Sequence, residues 1–424
     1  MVLCFYDLLE VNGATIFRRA ILNRMNEKLD LKEDVDIISV DNNYIISYRS
    51  KNWKISEFVY NVLKEFDGKK SKEDILRELN LKYSKEDYVT IDKLDVIVSF
   101  LIRNNLLIGT CDVEVKTKRN KMLWGRITIL PDKLIEKFNF LKILYDKKKF
   151  IVLLSLICLW MVSVFVNNEA TNITRKLYDM NILDIIICYI YIVLIGLFHE
   201  IGHSVALMKN EQPPGRIGAA IYFIMPVLFS DVTRAYRLNK KNRILVDIGG
   251  IYFQGILSML LSIINVFIWK NEILDMALTM TALQIIGNFN PFIKLDGYWI
   301  ISDYFNTEDI RKLFLEVIGK GKHRSKLSRA QFTVLAIYGI SFFLFMVYFI
   351  KMLMTSLIMA ITNIYNDLNI LVTQGTSCVI GNVGQNISNR ILDVIVVFFF
   401  MRLCIGVMKK ICLLLKKRRK HENY

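Results

Sequence analysis

The sequence predicts an α-helical polytopic membrane protein of about six spans, preceded by a small N-terminal cytoplasmic α+β domain of winged-helix-like design. Three observations carry this expectation. Apolar residues make up 53% of the 424-residue chain and charged ones 23%, with mean hydropathy +0.34, and the apolar excess is concentrated after residue 149. Several runs there approach the roughly 20 apolar residues that a helix needs to cross a bilayer. Lysine and arginine cluster just outside those runs, as at Lys147–Lys149 and Lys416–Lys420, a pattern suited to anionic lipid. Disorder, collagen and a disulfide scaffold are excluded by the composition, and a wholly soluble protein by the runs.

The first 115 residues read as the cytoplasmic domain with an N-terminal extension. Tyr44–Tyr48 has the look of a strand. Ser56 caps a helix over 57–63 that stops at Asp67-Gly68. Ser71-Lys72-Glu73-Asp74 and Ser84-Lys85-Glu86-Asp87 repeat one capping signature, a serine with an acid three residues later, and each opens a further helix. A strand followed by three helices suggests a winged helix. Acidic and basic residues nearly balance over 41–110, whereas a DNA-reading domain carries a basic face. No nucleic-acid partner is expected, even though the whole chain carries a net charge of +16.

Residues 116–149 read as a basic juxtamembrane linker, 150–412 as the membrane domain and 413–424 as a basic cytoplasmic tail. The expected spans are Phe150–Val166, Ile185–Leu207, Ile248–Trp269, Met276–Ile293 and Ala330–Ile350, with a weaker sixth at Ile391–Met408, which contains Asp393 and Arg402. The apolar run Ile217–Phe229 is too short to cross and contains Pro226, so it reads as a re-entrant or interfacial hairpin. Alternate loops are rich and poor in Lys and Arg, which predicts a multi-pass protein of the cell membrane with both termini cytoplasmic. The seven cysteines are irregularly spaced, lack a C-x-x-C and mostly lie in apolar runs, so they read as small buried hydrophobes. No signal peptide is evident in residues 1–40.

The chemistry lies in His199-Glu200-Ile201-Gly202-His203, inside the second span. Residues four apart share a helix face, so both imidazoles can reach one ion, and neutral imidazoles suit zinc. Glu200 beside them is placed to act as general base on a water that the metal acidifies. A buried polar cluster is a poor alternative, because an uncompensated acid inside a bilayer costs about 2.5 kcal/mol or more. His323 and His421 lie in basic segments and read as solvated. A third ligand is required. The fourth span ends in Asn290-Pro291-Phe292-Ile293-Lys294-Leu295-Asp296-Gly297, and both it and the second span run outside to inside. Asp296 therefore lies at similar depth and can complete a His, His, Asp site.

HEIGH in one span and NPFIKLDGYW in a later one resemble the site-2 protease family of intramembrane zinc metalloproteases. Met225-Pro226, Phe229-Ser230-Asp231-Val232, Gly249-Gly250-Ile251-Tyr252 and DGYWIISDY narrow the resemblance to its peptide zinc metalloprotease branch, whose members often sit beside peptide-maturation and export genes. The resemblance implies Zn2+ on His199, His203 and Asp296, Glu200 as the activator of water, and a peptide or membrane-protein substrate. A peptide exporter is implied as a partner. It further implies that Asn290 holds the substrate backbone or the oxyanion; an amide capping the broken helix at Pro291 is the equal alternative. Asp231 recurs in the branch pattern with no role assigned, and pairing with Arg234 is its plain reading. Asp247 is expected to snorkel. ISEFVYNVLKEFDGKKSKEDILREL resembles the PqqD-like peptide-recognition family, which implies that a leader peptide adds to a sheet edge at Tyr44–Tyr48. The expected activity is intramembrane cleavage of a small peptide precursor. The rivals are cleavage of a membrane-anchored signalling protein, and a non-catalytic peptide-binding transport or immunity role.

Overall fold

The computed structural model describes residues 29–108 apart from 42, 49–50 and 83–89; 123–166; 180–307 apart from 223–224; and 309–374 apart from 320, 322–323 and 325–326, with positions 397 and 401. The chain divides into two units, at Ile310 and Arg311.

The first unit opens with three strands where the sequence suggested one. β1 (Val35–Val40), β2 (Asn43–Tyr48) and β3 (Lys51–Ile55) form an antiparallel meander in that order. Ile46 faces Ile37 on one side and Trp53 on the other. Tyr44–Tyr48 is therefore the central strand, paired along both edges, and not the free edge expected. The flanking strands escaped notice because each is only five or six residues long. Helix α1 (Glu57–Leu63) is capped by Ser56, whose Oγ accepts from the Val59 amide. Helix α2 (Lys72–Lys82) opens on a reciprocal box: Asp74 N–H donates to Ser71 Oγ, and Ser71 N–H donates to the Asp74 carboxylate. Helix α3 (Ile91–Arg103) starts at Thr90, which caps Lys93; the expected box at Ser84 lies outside the described residues. Ile46, Val62, Leu63, Ile75, Leu79, Leu94 and Leu101 close a core of their own. Within it the Lys72 ammonium is buried against Asp95.

The stretch expected as a linker carries structure. β4 (Leu123–Leu130) pairs antiparallel with β5 (Ile217–Tyr222), which pairs with β6 (Met225–Ser230). The run around Pro226 is thus a β-hairpin extended by a strand from about 90 residues earlier in the chain. Gly218 permits the approach, since a Cβ there would lie 2.4 Å from the Ile127 carbonyl oxygen.

Among the described residues, four helices are long and apolar enough to cross a membrane: Lys147–Val166, Ile182–Lys209, Lys240–Trp269 and Arg329–Ile370. The first three, α4 (Lys147–Val166), α5 (Ile182–Lys209) and α6 (Lys240–Ile264, continued to Trp269 by a π-turn), belong to the first unit. They expose Ile151, Leu159, Leu194 and Ile263, as lipid-facing surfaces do. Helix α7 (Glu272–Asn288) replaces the expected fourth span and is 17 residues long. Helix α8 (Asp296–Tyr304) follows it. Helices α5 and α6 cross at glycines: a Cβ on Gly202 would lie 2.2 Å from the Gly249 carbonyl oxygen. Small residues allow backbones this close inside a membrane. Tyr145 braces the crossing by donating to the Gly202 carbonyl at 2.9 Å. Cys188 is buried as expected, but Cys158 is exposed.

In the second unit α9 runs unbroken from Arg329 to Gln374, 46 residues, well past the Ile350 expected as its end. No proline interrupts it, so nothing in the local sequence forces a stop. The sixth expected span, Ile391–Met408, falls almost wholly outside the described residues, as does the tail.

Candidate metal centre

Helix α5 supplies His199 and His203 on one face, and α8 supplies Asp296 from its first residue. Gly297 makes this last placement possible: a Cβ there would lie 2.3 Å from the Phe289 carbonyl oxygen, so only glycine lets the chain fold back on the end of α7. The three side chains come together, with their ligand atoms within 4.8 Å of one another. His199 Nε2 and His203 Nε2 are 3.1 Å apart. Asp296 Oδ2 lies 3.1 Å from His199 Nε2, and Asp296 Oδ1 lies 3.6 Å from His203 Nε2.

The imidazoles are oriented from behind. His203 Nδ1 donates to the Val246 carbonyl at 2.7 Å and His199 Nδ1 to Gln254 Oε1 at 2.9 Å, both partners lying on α6. A carbonyl only accepts, so each neutral ring carries its proton on Nδ1 and turns a bare Nε2 lone pair inward. Gln254 is itself held by Gln284 of α7, to which its amide nitrogen donates at 3.4 Å.

Two lone pairs and a carboxylate thus face one point. The carboxylate is that of Asp296. Its Oδ2 is buried with no hydrogen-bond donor among the described residues. Three such acceptors repel unless a cation sits among them. A tetrahedral zinc with bonds of about 2.0–2.1 Å separates its ligand atoms by about 3.3–3.4 Å, close to the spacings seen. The space is also kept open: a Cβ on Gly250 would lie 2.4 Å from His203 Nε2 and 2.5 Å from His199 Nε2. The residues fit a zinc ion.

Glu200 is half-buried and follows His199 on α5. Asn290 Oδ1 accepts from the Phe292 amide at 2.8 Å, a local turn after α7. Asp231 does not pair with Arg234. It accepts from the Thr233 amide and hydroxyl, while Arg234 donates to the carbonyls of Pro213 and Pro214. Asp247, expected to snorkel, instead turns into the protein beside Asp303, and its Oδ2 is buried. Burial raises the Asp303 carboxyl despite the pull of Arg243, which bonds it at 2.9 Å.

Sequence reasoning missed Gln254, Gly250 and the Val246 carbonyl. A lone amide in mid-span was the available signal for Gln254. Gly250 appeared only as part of a motif, and a backbone carbonyl leaves no trace in the side-chain sequence.

No family model matches the chain, and no solved structure does. Among curated proteins, the chain is 22% identical over 253 residues to the Bacillus subtilis (strain 168) protein named "Putative peptide zinc metalloprotease protein YydH", a distant relationship that covers 57% of this chain and 93% of that protein.

Proposed function

We propose that the chain is a membrane-embedded, zinc-dependent peptidase that cleaves a small peptide precursor at or within the bilayer, with both termini in the cytoplasm. The observation that carries this reading is the convergence of two Nδ1-anchored imidazoles and an ionised carboxylate on a space that only glycine leaves open. The distant relative's name points to the same metal and the same class of reaction. Zinc is the expected cofactor.

His199, His203 and Asp296 hold the ion, three protein ligands with a fourth position free for water or substrate. Bound there, zinc supplies Lewis acidity to a water and to the scissile carbonyl. Glu200 is not needed as a ligand, and its carboxylate takes the proton that the attacking water loses and delivers it to the leaving amine. Gln254 and the Val246 carbonyl keep both Nε2 atoms aimed throughout. Asn290 orders the chain after α7 through its own turn, and its amide nitrogen is the group left to meet a substrate carbonyl. The N-terminal domain recruits the precursor by its leader, which adds to an outer strand of the sheet, β1 or β3, in the manner of strand addition.

The test uses purified protein in detergent, with candidate precursor peptides co-expressed and read by mass spectrometry. Wild type is expected to hold about one zinc per chain and to yield a truncated peptide. Glu200→Gln keeps the zinc and loses cleavage, because it removes the base and no ligand, whereas His203→Ala loses both. A fully active Glu200→Gln protein would sink the hydrolase reading.

A further inference from the structure

A cavity of about 270 Å3 lies between α6, α8 and the turn after β6. Asp247, Arg243, Trp299, Asp303, Asp231 and Tyr236 form most of its wall. Asp247 stands three residues before Gly250, and Trp299 three after Asp296. Residues so spaced are neighbours on a helix surface, with Cβ atoms about 5–6 Å apart. The cavity is thus one helical turn from the metal centre along both helices. Successive residues of an extended peptide rise about 3.3 Å each, so a peptide with its scissile carbonyl at the metal has a nearby side chain within reach.

The polarity of the wall limits what that side chain is. Arg243 is spent on the protein itself: Nε donates to Asp303 at 2.9 Å, Nη1 to the Leu238 carbonyl at 3.1 Å and Nη2 to Asn306 at 3.0 Å. Its charge is cancelled by Asp303. Asp247 and Asp303 lie beside each other in this wall. Oδ2 of Asp247 remains buried with no hydrogen-bond partner among the described residues, a state that costs about 1–3 kcal/mol and that an incoming donor relieves. Asp231 adds a further negative charge. An acidic side chain would meet carboxylates here, and an aliphatic one would leave the Asp247 oxygen unsatisfied. The indole of Trp299, which Lys294 Nζ approaches over the ring at 5.8 Å, is a surface on which a guanidinium or ammonium rests.

We infer that this cavity is a subsite for a basic side chain, lysine or arginine, of the bound peptide, with Asp247 as its acceptor and Trp299 as its wall. The inference rests on the peptidase reading. The probe is p-aminobenzamidine, a fluorescent amidinium, added to the full-length protein in detergent with and without EDTA. Saturable fluorescence is expected, equal in both conditions and displaced by agmatine but not by benzamide. Binding is expected to weaken at least tenfold in Asp247→Asn and in Trp299→Leu. Trp299→Leu stands as the test should Asp247→Asn fail to fold, as judged by circular dichroism. No saturable binding, or binding as tight in the folded variants as in wild type, overturns the inference. A second arm digests a casein-derived peptide mixture and reads the residues flanking each cut. Lysine or arginine enriched at one fixed position, and lost in Trp299→Leu, supports the subsite, whereas cuts without a basic preference overturn it and leave the peptidase standing. Specific amidinium binding with no zinc-dependent cleavage refutes the peptidase reading while the selectivity of the cavity stands.

Discussion

Substituting Gly250 by alanine is expected to abolish zinc binding without unfolding the protein. The added Cβ would lie 2.4 Å from His203 Nε2 and 2.5 Å from His199 Nε2, where ordinary contact begins at 3.4 Å. Each ring must therefore retreat by about 1 Å, against a tolerance of about 0.2 Å in zinc–ligand distance. Neither ring can swing aside freely, because its Nδ1 is tied to α6. Loss of a supporting hydrogen bond alone costs about 10–100-fold in metal affinity. Displacing both ligands is expected to cost more than about 100-fold by the same scale. The helix itself gains, since alanine is about 0.5–1 kcal/mol more favourable than glycine in a helix interior. The assay is zinc per chain after dialysis against a competing chelator, with circular dichroism and a melting curve alongside. Gly287→Ala is the matched control, having nothing within 4 Å of its added methyl. A Gly250→Ala protein that retains zinc at wild-type affinity would refute the assignment of the open space to the metal.

Gln254→Leu removes the acceptor of His199 Nδ1 and is expected to lower zinc affinity about 10–100-fold, read by competition with a chromogenic chelator; unchanged affinity would mean that His199 is oriented by something else. Residues 29–108 enclose their own core and are expected to fold as a soluble fragment with a cooperative urea transition. In that fragment Asp95→Ala strands a Lys72 ammonium whose side chain is 3% exposed; allowing for the partial exposure of Asp95, the loss is about 2 kcal/mol, seen as a lower urea midpoint. A reporter fused after Tyr424 is expected to report cytoplasm and one inserted near Gly375 the outside; the same side for both would remove the sixth span.

The pair His199 and His203 could be read directly because helical periodicity is a local property, and four residues in sequence are one turn in space. Asp296 needed an argument from span direction, and the structure does bring it beside the two imidazoles. What periodicity could not reach was contact between distant segments. The pairing of β4 with β5 depends on residues about 90 apart, and Leu123–Leu130 carries no turn or pattern that announces a partner. The strands flanking Tyr44–Tyr48 were obscured for a different reason: short strands with mixed burial on both faces lack the clean alternation that marks a half-buried strand. Asp247 was misjudged because its place at the entry of a span suggested solvent, while Arg243 one turn earlier and Asp303 on another helix give it an interior setting.

The brevity of α7 has a consequence for the bilayer itself. Seventeen residues rise about 26 Å, short of the roughly 30 Å hydrocarbon thickness of an average membrane. The stretch Asn290–Leu295 that follows is not helical, and such backbone is tolerated at membrane depth only against protein or water. Lipid next to it has to thin or admit water, at a cost of a fraction of a kcal/mol per Å of mismatch. Turnover is therefore expected to vary with acyl-chain length in reconstituted vesicles, highest in short-chain lipid, where Asp296 and the loop before it meet the aqueous boundary, and falling as longer chains submerge them.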